Sequence, residues 1–310
     1  MYKRQAHVVS LIRLSGHTVG YIGDGVNDVP ALTSADVGIV VDSAAAESKK
    51  VADLVLLERD LGVVAEGVSE GRTSFANAFK YIRIASSSNF GNICSVAASS
   101  IFLPFLPATA AQLLLLNLCY DATCLALSWD NVDDAEITRP KAWSGKGLGS
   151  FMLHFGFASS AFDIITFAIL LLGVCPAVCG GSFVTLSAAG QAAFIATFQT
   201  GWLLECAWTE SLVLLVLRAR NVRDGDRPCR PLVIMVATML IASALLALSP
   251  AAQLLGLVTL PMWYLGIVAL LSVLYLVVVS TIKRVYLSRS SSLFSVSYTH
   301  LRAHETRHDL

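Results

Sequence analysis

The pattern of apolar and polar positions changes near residue 85 and divides the chain into two parts. In the first part, short apolar runs alternate with stretches of helical spacing, which is typical of a parallel β-α-β sheet. We therefore expect residues 1–60 to form the end of a soluble α/β domain. The predicted strands are Thr18–Ile22, Val37–Val41 and Asp53–Leu57, and the predicted helices are Val29–Ser34 and Ala44–Val51.

A single helix is predicted for residues 61–84, where polar and apolar residues mix at helical spacing. The residues Arg72, Lys80 and Arg83 fall in this segment, and we expect them to be exposed. No Gly-Pro break separates it from the apolar residues that follow. The pattern indicates a stalk helix that continues into a membrane.

Six apolar runs in residues 85–287 are long enough to cross about 30 Å of hydrocarbon as helices. This pattern predicts an all-α membrane domain with six transmembrane helices. The predicted spans are residues 85–103, 110–128, 151–173, 192–217, 232–249 and 262–282.

Basic residues follow every second span, and the alternate loops contain no Lys or Arg. Because basic loops stay in the cytoplasm, both chain ends are predicted to be cytoplasmic. The residues on which this orientation rests are Arg139, Lys141, Lys146, Arg218, Arg220, Arg223, Arg227, Arg230, Lys283 and Arg284.

Composition agrees with a membrane protein. Of the 310 residues, 55% are hydrophobic and 14% are charged, whereas about a quarter are charged in an ordinary soluble domain. The formal net charge of zero argues against a nucleic-acid partner. We expect a lipid bilayer to surround most of the chain.

The stretch "YIGDGVNDVPAL", residues 21–32, follows the first predicted strand. Loops at the carboxyl ends of parallel strands bind ligands, and the next helix offers free N–H groups to an anion. Gly23 and Gly25 permit close backbone approach, Asp24 and Asp28 supply the oxygen ligands that Mg²⁺ prefers, and Asn27 offers an amide donor to a phosphoryl oxygen. These residues predict a magnesium-assisted phosphoryl-transfer site; an ordinary surface turn is the alternative.

Polar residues inside the first two spans predict a site for a hard cation. Asn117 and Asp121 are four residues apart and share a helix face, and Asn89 and Asn92, three apart, can face them from the neighbouring helix. A carboxylate in a membrane span is costly and is a functional candidate by default. Interhelical hydrogen bonding is the alternative role for each asparagine.

Two further acids lie in later spans. Glu205 can complete the cation site or pair with a neighbouring helix, whereas Asp163 is expected to have a structural hydrogen-bonding role. A soft metal would require thiolate ligands, and Cys119 lies off the face that carries Asn117 and Asp121.

The stretch "GDGVNDVPAL" resembles a motif of P-type cation-transporting ATPases, and "ADVGIVV" and the residues from 51 to 92 are similar to the end of that family's phosphorylation domain and its fifth transmembrane helix. "NLCYD", "SWDNVDDAEITRPKAW" and "FASSAFDIITF" resemble the magnesium-importing subgroup, in which Phe157 would be proline. The resemblance covers about residues 8–287. It implies a haloacid-dehalogenase-like fold for residues 1–60 and the fifth to tenth helices of the family for residues 85–287.

The resemblance also implies roles for particular residues. Asp24 would help hold the catalytic Mg²⁺, with Asn27 and Asp28 supporting the phosphorylation site, and Asn89, Asn92, Asn117 and Asp121 would match cation-binding positions. The phosphorylated aspartate and the nucleotide-binding domain, which would bind the substrate ATP, are expected in amino-terminal domains upstream of residue 1.

Both ends of the sequence raise a question of origin. The family's active-site lysine has no clean match in "MYKRQ". Residues 288–310 are predicted to be a disordered or non-native tail, because "SVSYTHLRAHETRHDL" resembles translated sequencing-adapter sequence. The spacing of His300, His304 and His308 would also fit a metal site on a helix, a less favoured alternative.

Three functions remain open at this stage. The first is the carboxyl-terminal part of an ATP-driven magnesium importer in the plasma membrane. The second is a pump for another cation, such as calcium. The third is a membrane fragment without turnover, since this chain alone is expected to be inactive.

Overall fold

The computed structural model describes residues 2–58, 60–138, 140, 145, 147–219 and 227–289. The chain divides into two compact units, residues 1–71 and 72–310, and each is described by itself. Residues 290–310 of the predicted tail, including His300, His304 and His308, lie outside the described residues, as do Arg139, Lys141, Lys146, Arg220 and Arg223. The tail prediction is wrong for residues 288 and 289, which form the end of the last helix.

Unit 1 contains a parallel sheet of three strands in the order β1-β2-β3. Its elements are α1 (Tyr2–Leu14), β1 (Gly20–Gly23), α2 (Val29–Ser34), β2 (Val37–Val41), α3 (Ala46–Val51) and β3 (Leu54–Leu56). The predicted parallel α/β arrangement is confirmed, and two elements, α2 and β2, have the predicted bounds. Val40 in β2 and Ala31 and Leu32 in α2 are almost completely buried and form the centre of this unit.

The strands flanking β2 are shorter or shifted relative to the prediction. β1 begins at Gly20 because the N–H of Val19 donates to the Asp36 carboxylate instead of to a strand partner. In the same way, the carboxylate of Asp53 accepts the N–H of Gly38, and β3 begins one residue later. Side-chain hydrogen bonds of this kind compete with the regular ladder and define where a strand starts.

α4 (Leu61–Phe102) is one continuous helix of 42 residues. The expectation that Lys80 and Arg83 are exposed is wrong, since they are only 4% and 2% exposed. Lys80 is buried because it forms an ion pair with Asp130, and the Arg83 guanidinium lies 4.5 Å from the ring centroid of Phe79. Pairing with a carboxylate or an aromatic face allows a charged group to be buried.

Unit 2 is helical. After α4 its helices are α5 (Ala110–Cys124), α6 (Asp134–Ile137), α7 (Leu148–Phe151), α8 (Phe157–Ile169), α9 (Cys175–Cys179), α10 (Ala188–Leu217), α11 (Arg230–Leu248) and α12 (Met262–Arg289). Five-residue π-helical segments, Met152–Gly156 and Leu170–Val174, connect α7 to α8 and α8 to α9. Phe157, which replaces the proline expected from the resemblance, starts α8 and packs edge-on against Phe90 at 5.6 Å between centroids.

Five helical segments in the described residues are long and apolar enough to cross a membrane: Ala110–Trp129, Leu148–Thr185, Ala188–Leu217, Arg230–Leu248 and Met262–Ser288. The chain is therefore a multi-pass membrane protein, and five of the six predicted spans meet this criterion. All but the last residue of the predicted span 85–103 lies within α4, where serines and asparagines reduce the apolar character.

α10 lies at the centre of unit 2. In its most apolar window 72% of the residues are buried, against 17–39% in the other four candidate spans. Trp202, Phe194 and Phe198 of α10 are completely buried, and Phe167 and Tyr264 pack with them. Polar residues on α10 are consequently enclosed by protein.

Candidate functional site

The loop after β1 is closed by Asp28. One oxygen of its carboxylate, Oδ2, accepts the backbone N–H groups of Asp24 and Gly25 at 3.2 Å each, and Oδ1 accepts the Tyr21 hydroxyl at 3.0 Å. A Cβ at Gly23 would lie 2.6 Å from the Cβ of Asp28, so only glycine permits this close approach. Gly23 and Asp28 therefore fix the shape of the loop.

The segment around α3 holds the same loop from the other side. The Ser48 hydroxyl donates to the carbonyl of Gly25 at 2.8 Å, and the N–H of Ala45 donates to the carbonyl of Asp24 at 2.9 Å. Burial raises the pKa of Tyr21, and its hydrogen bond to Asp28 adds to the effect. The loop backbone is thus clamped while its remaining side chains point outward.

Asp24 and Asn27 are exposed, in contrast to the half-buried Asp28. An open pocket beside the carboxyl ends of the three strands is lined by Gly23, Asp24, Asp28 and Asp60, among others. Exposed carboxylate oxygens on a rigid loop fit the hard-oxygen ligand set that Mg²⁺ requires. The arrangement can present Asp24 to a metal ion and the Asn27 amide to an anion.

In unit 2, Asp121 lies on an open pocket between α4 and α5. Its carboxylate accepts the Tyr81 hydroxyl at 3.2 Å, and its side chain is exposed. Asn117, one turn earlier on α5, is half-buried. The carboxylate that sequence reasoning placed at the centre of the cation site therefore lies at the edge of the described helices.

Asn92 is buried and donates from Nδ2 to Oε1 of Glu210 on α10 at 2.8 Å. Asn89, in contrast, is exposed. Among the described residues, no hydrogen bond joins the side chain of Asn89 or Asn117 to another candidate ligand. The structure thus brings Asn92 together with an acid that the sequence analysis did not name.

Asp163 and Glu205 lie together in the interior of unit 2. Carboxylate oxygens of these two acids and the Cys206 sulfur all lie within 4.8 Å of one another. Asp163 accepts hydrogen bonds from Ser95 and from Trp202, the latter at 2.9 Å, and contacts the Cys206 thiol at 3.6 Å. These donors agree with the structural role expected for Asp163.

A further acid that sequence reasoning missed, Asp130, follows α5. Its Oδ2 is 2.7 Å from Nε of Arg218 and 3.3 Å from Nζ of Lys80, and its Oδ1 accepts the N–H of Cys229 at 3.2 Å. The side chains of Asp130, Lys80 and Arg218 are 0–4% exposed. This buried ion cluster joins α4 to the ends of α5 and α10, and no local sequence pattern indicates it.

Two family models match the chain. "Cation transporting ATPase, C-terminus" matches residues 105–285, and "haloacid dehalogenase-like hydrolase" matches residues 5–68. This chain belongs to the cation-transporting P-type ATPases. The family membership agrees with both the α/β unit and the apolar helices.

Curated members of this family align with most of the chain. The magnesium-transporting ATPase, P-type 1, of Salmonella typhimurium is 38% identical over 292 residues, which is 94% of this chain and 31% of that protein. The protein of the same name from Escherichia coli K12 is 39% identical over 91% of this chain and 30% of its own length. The chain thus spans about a third of the length of these relatives and is homologous to their carboxyl-terminal part.

Other cation pumps align with a smaller part of this chain. The endoplasmic reticulum calcium ATPase of Aspergillus fumigatus is 34% identical over 136 residues, 44% of this chain.

Proposed function

We propose that this chain is the carboxyl-terminal part of an ATP-driven magnesium importer with a phosphoenzyme mechanism. The observation that carries the proposal is the 38% identity to a magnesium-transporting ATPase over 94% of the chain. A calcium ATPase and a sodium-transporting ATPase align over 44% and 43% of it. The ATP hydrolysis belongs to the complete protein, and we propose that the 310-residue chain alone is inactive.

In the complete protein, Asp24 would hold the catalytic Mg²⁺ and Asn27 would donate to a phosphoryl oxygen. Mg²⁺ supplies charge neutralisation at the transferring phosphoryl group. The contribution of this chain is positioning. Asp28 fixes the backbone of Asp24 and Gly25, so that the exposed Asp24 carboxylate needs little reorganisation to bind the metal.

The transported Mg²⁺ would bind between the membrane helices, with Asn89, Asn92, Asn117, Asp121 and Glu205 as ligands. Oxygen ligands and retained water suit Mg²⁺. The burial of Asn92 and Glu205 supports a site inside the protein, and the open pocket beside Asp121 supports an ion path that other parts of the complete protein would cover.

We further propose a plasma-membrane location with both ends of the chain cytoplasmic. Support comes from basic residues near helix ends: Arg218 pairs with Asp130, and Lys283 donates to the carbonyl of Val216 at 2.7 Å. These contacts gather basic side chains at one end of the helical unit, as the positive-inside rule requires. Counting α4 as a sixth span gives the even number of crossings that this orientation needs.

The alternative is a pump for another cation, such as calcium. The 34% identity to a calcium ATPase over 136 residues favours this alternative for part of the chain. ATPase activity of the full-length parent, measured against free Mg²⁺ and free Ca²⁺ with ATP-bound Mg²⁺ constant, separates the two. Stimulation by Ca²⁺ but not by Mg²⁺ would reject the magnesium importer, and Asp121→Asn should abolish stimulation by the transported ion.

The catalytic assignment is tested with Asp24→Asn in the full-length parent. We expect phosphoenzyme turnover to fall by at least about tenfold, because the change removes a charged Mg²⁺ ligand, while membrane insertion is unaffected. Asp42→Asn is the matched control, since Asp42 is exposed in the same unit and pairs with Lys49. Near-normal turnover in Asp24→Asn would contradict the role given to this residue.

A further inference from the structure

Glu210 lies at the junction of the helices that carry the predicted cation ligands. It is 3% exposed on α10 and accepts a hydrogen bond from Asn92 on α4. Its carboxyl group also interacts electrostatically with Asp121 and with Glu205.

The polar contacts of α4 and α10 are arranged in two adjacent layers. Asn92 and Ser95 share a face of α4, and Cys206 and Glu210 share a face of α10, because residues three or four apart lie one turn apart on a helix. Ser95 and Cys206 both reach Asp163, whereas Asn92 reaches Glu210. Glu210 therefore lies about one helical turn from Asp163, in the same interface.

One oxygen of Glu210 is available as a ligand. Its Oε1 accepts the Asn92 amide, but its Oε2 is buried and has no hydrogen-bond partner among the described residues. Asp163 differs, since both of its oxygens accept hydrogen bonds. A buried carboxylate oxygen without a donor is costly unless a proton or a bound cation neutralises it.

We propose that Glu210 is a direct ligand of the transported divalent cation, binding through Oε2 while Asn92 holds Oε1. The proposal rests on the function proposed above and adds a carboxylate that none of the sequence-predicted ligands supplies. With Asp121 and Glu205, the site then carries up to three negative charges instead of two. Carboxylate oxygens favour hard divalent cations such as Mg²⁺ and Mn²⁺ over soft ones.

The experiment uses the 310-residue chain in lipid nanodiscs, with Mn²⁺ as the probe. Bound Mn²⁺ is detected by electron paramagnetic resonance, and Mg²⁺ is added as a competitor. All proteins carry Asp24→Asn, so that the loop of the α/β unit does not add a second metal signal. Glu210→Gln keeps the shape and the acceptor for Asn92 but removes the charge. Glu70→Gln, an exposed residue with the same chemical change, is the matched control.

We expect Glu210→Gln to weaken Mn²⁺ binding by at least about tenfold. Loss of a residue that only orients metal ligands already weakens metal binding by about 10–100-fold, so loss of a direct ligand should cost no less. The thermal stabilisation by Mg²⁺ should disappear with it, since ligand-dependent stabilisation follows affinity. Glu70→Gln should change neither. If Glu210 had a structural role alone, Glu210→Gln would lower the unfolding temperature by the same amount with and without Mg²⁺.

Equal Mn²⁺ affinity in the Glu210→Gln and Glu70→Gln proteins would overturn the proposal and leave magnesium import by the parent untouched. Absence of Mn²⁺ binding in every variant would also overturn the proposal for Glu210. The proposed function, magnesium import, fails only if the full-length parent does not transport Mg²⁺. If Glu210→Gln does not fold, Glu210→Asp decides: unchanged Mn²⁺ affinity after moving the carboxylate would exclude direct ligation.

Discussion

In the α/β unit, the carboxylate of Asp24 is exposed at the end of a strand, whereas in the helical unit Asp163, Glu205 and Glu210 are each no more than 3% exposed. The first can bind a metal from solvent without losing protein contacts. The others are enclosed by helices, so any ion that they bind must be admitted and released by movement of the protein. This difference fits the two roles proposed above, a positioned catalytic ion in the α/β unit and a transported ion in the helical unit.

The buried or half-buried acids of the two units also differ in how far along the chain their hydrogen-bond donors lie. Asp28 accepts hydrogen bonds from residues three, four and seven positions away, whereas the donors to Asp163 lie 39 and 68 positions away. A local bonding pattern is encoded in one short stretch of sequence. A pattern that spans three helices depends on how those helices pack.

The largest expected loss of stability comes from breaking a buried ion pair, and an exposed ion pair provides the comparison. Asp130→Ala removes the carboxylate from Lys80 and Arg218 and leaves two buried cations, which should destabilise the chain by about 3–5 kcal/mol. Asp42→Ala breaks the exposed pair with Lys49 and should cost about 0–1 kcal/mol. Thermal unfolding in detergent micelles measures both, and equal effects would contradict the role given to the buried cluster.

A smaller effect is expected at the close contact of α4 with the first π-helical segment. A Cβ at Gly156 would lie 3.0 Å from the carbonyl oxygen of Ser87 and 2.7 Å from the Phe90 ring. Gly156→Ala should therefore destabilise the helical unit by about 1–3 kcal/mol, the usual cost of overpacking. Small residues permit such approaches between membrane helices.

The matched control for this contact is Gly173→Ala in the second π-helical segment. No atom lies within 4 Å of a Cβ built at Gly173, so this change should be nearly neutral. A comparable loss of thermal stability in both variants would show that the π-helical backbone, and not the contact with α4, determines the effect.

Much of the fold could be predicted from the sequence because its signals are local. The apolar runs predict each of the five apolar segments, although the one predicted at 151–173 extends over Leu148–Thr185, and α2 and β2 have the predicted bounds. The predicted span 85–103 is not among the five segments that are apolar enough to cross a membrane, because Asn89, Asn92 and many serines lie in this part of α4. Polar residues that face other helices reduce the apolar signal of a span.

The sites show the same limit. The loop at Asp24 was predicted from residues adjacent in sequence. The contact between Asn92 and Glu210 joins residues 118 positions apart, and helical spacing alone does not indicate which faces meet. The burial of Lys80 was missed for the same reason, since its partner Asp130 lies 50 positions away.

The next prediction concerns the loop of the α/β unit. Asp28→Ala removes the acceptor of two backbone N–H groups and of the Tyr21 hydroxyl. We expect a local loss of about 1–2 kcal/mol, since the net value of one such hydrogen bond is about 0.5–1.5 kcal/mol. Hydrogen exchange of the Asp24 and Gly25 amides should become faster. Asn27→Ala, a change at an exposed neighbour, is the control and should leave these amides unchanged.

The smallest expected effect is a pH dependence of stability at the amino-terminal ends of β1 and β2, opposite the Asp24 loop. The N–H of Val19 and the guanidinium of Arg13 hold the pKa of Asp36 below its ordinary value. A carboxyl whose pKa is lowered in the folded state stabilises that state above its unfolded pKa, about 3.9, and this contribution disappears as the pH falls through the lower folded value. Because Asp36 and Arg13 are not buried, solvent screens their attraction and the effect should be slight.

The test of this dependence compares wild type with Asp36→Asn, which cannot ionise. Hydrogen exchange of the β1 and β2 amides should be slower in wild type at about pH 6, and the two proteins should converge as the pH falls below about 4. Comparing them at each pH removes the intrinsic pH dependence of exchange. If the difference instead widened in acid, the carboxylate would not be the stabilising form, and the contact of Asp36 with Val19 and Arg13 would have to stabilise the fold in its protonated state.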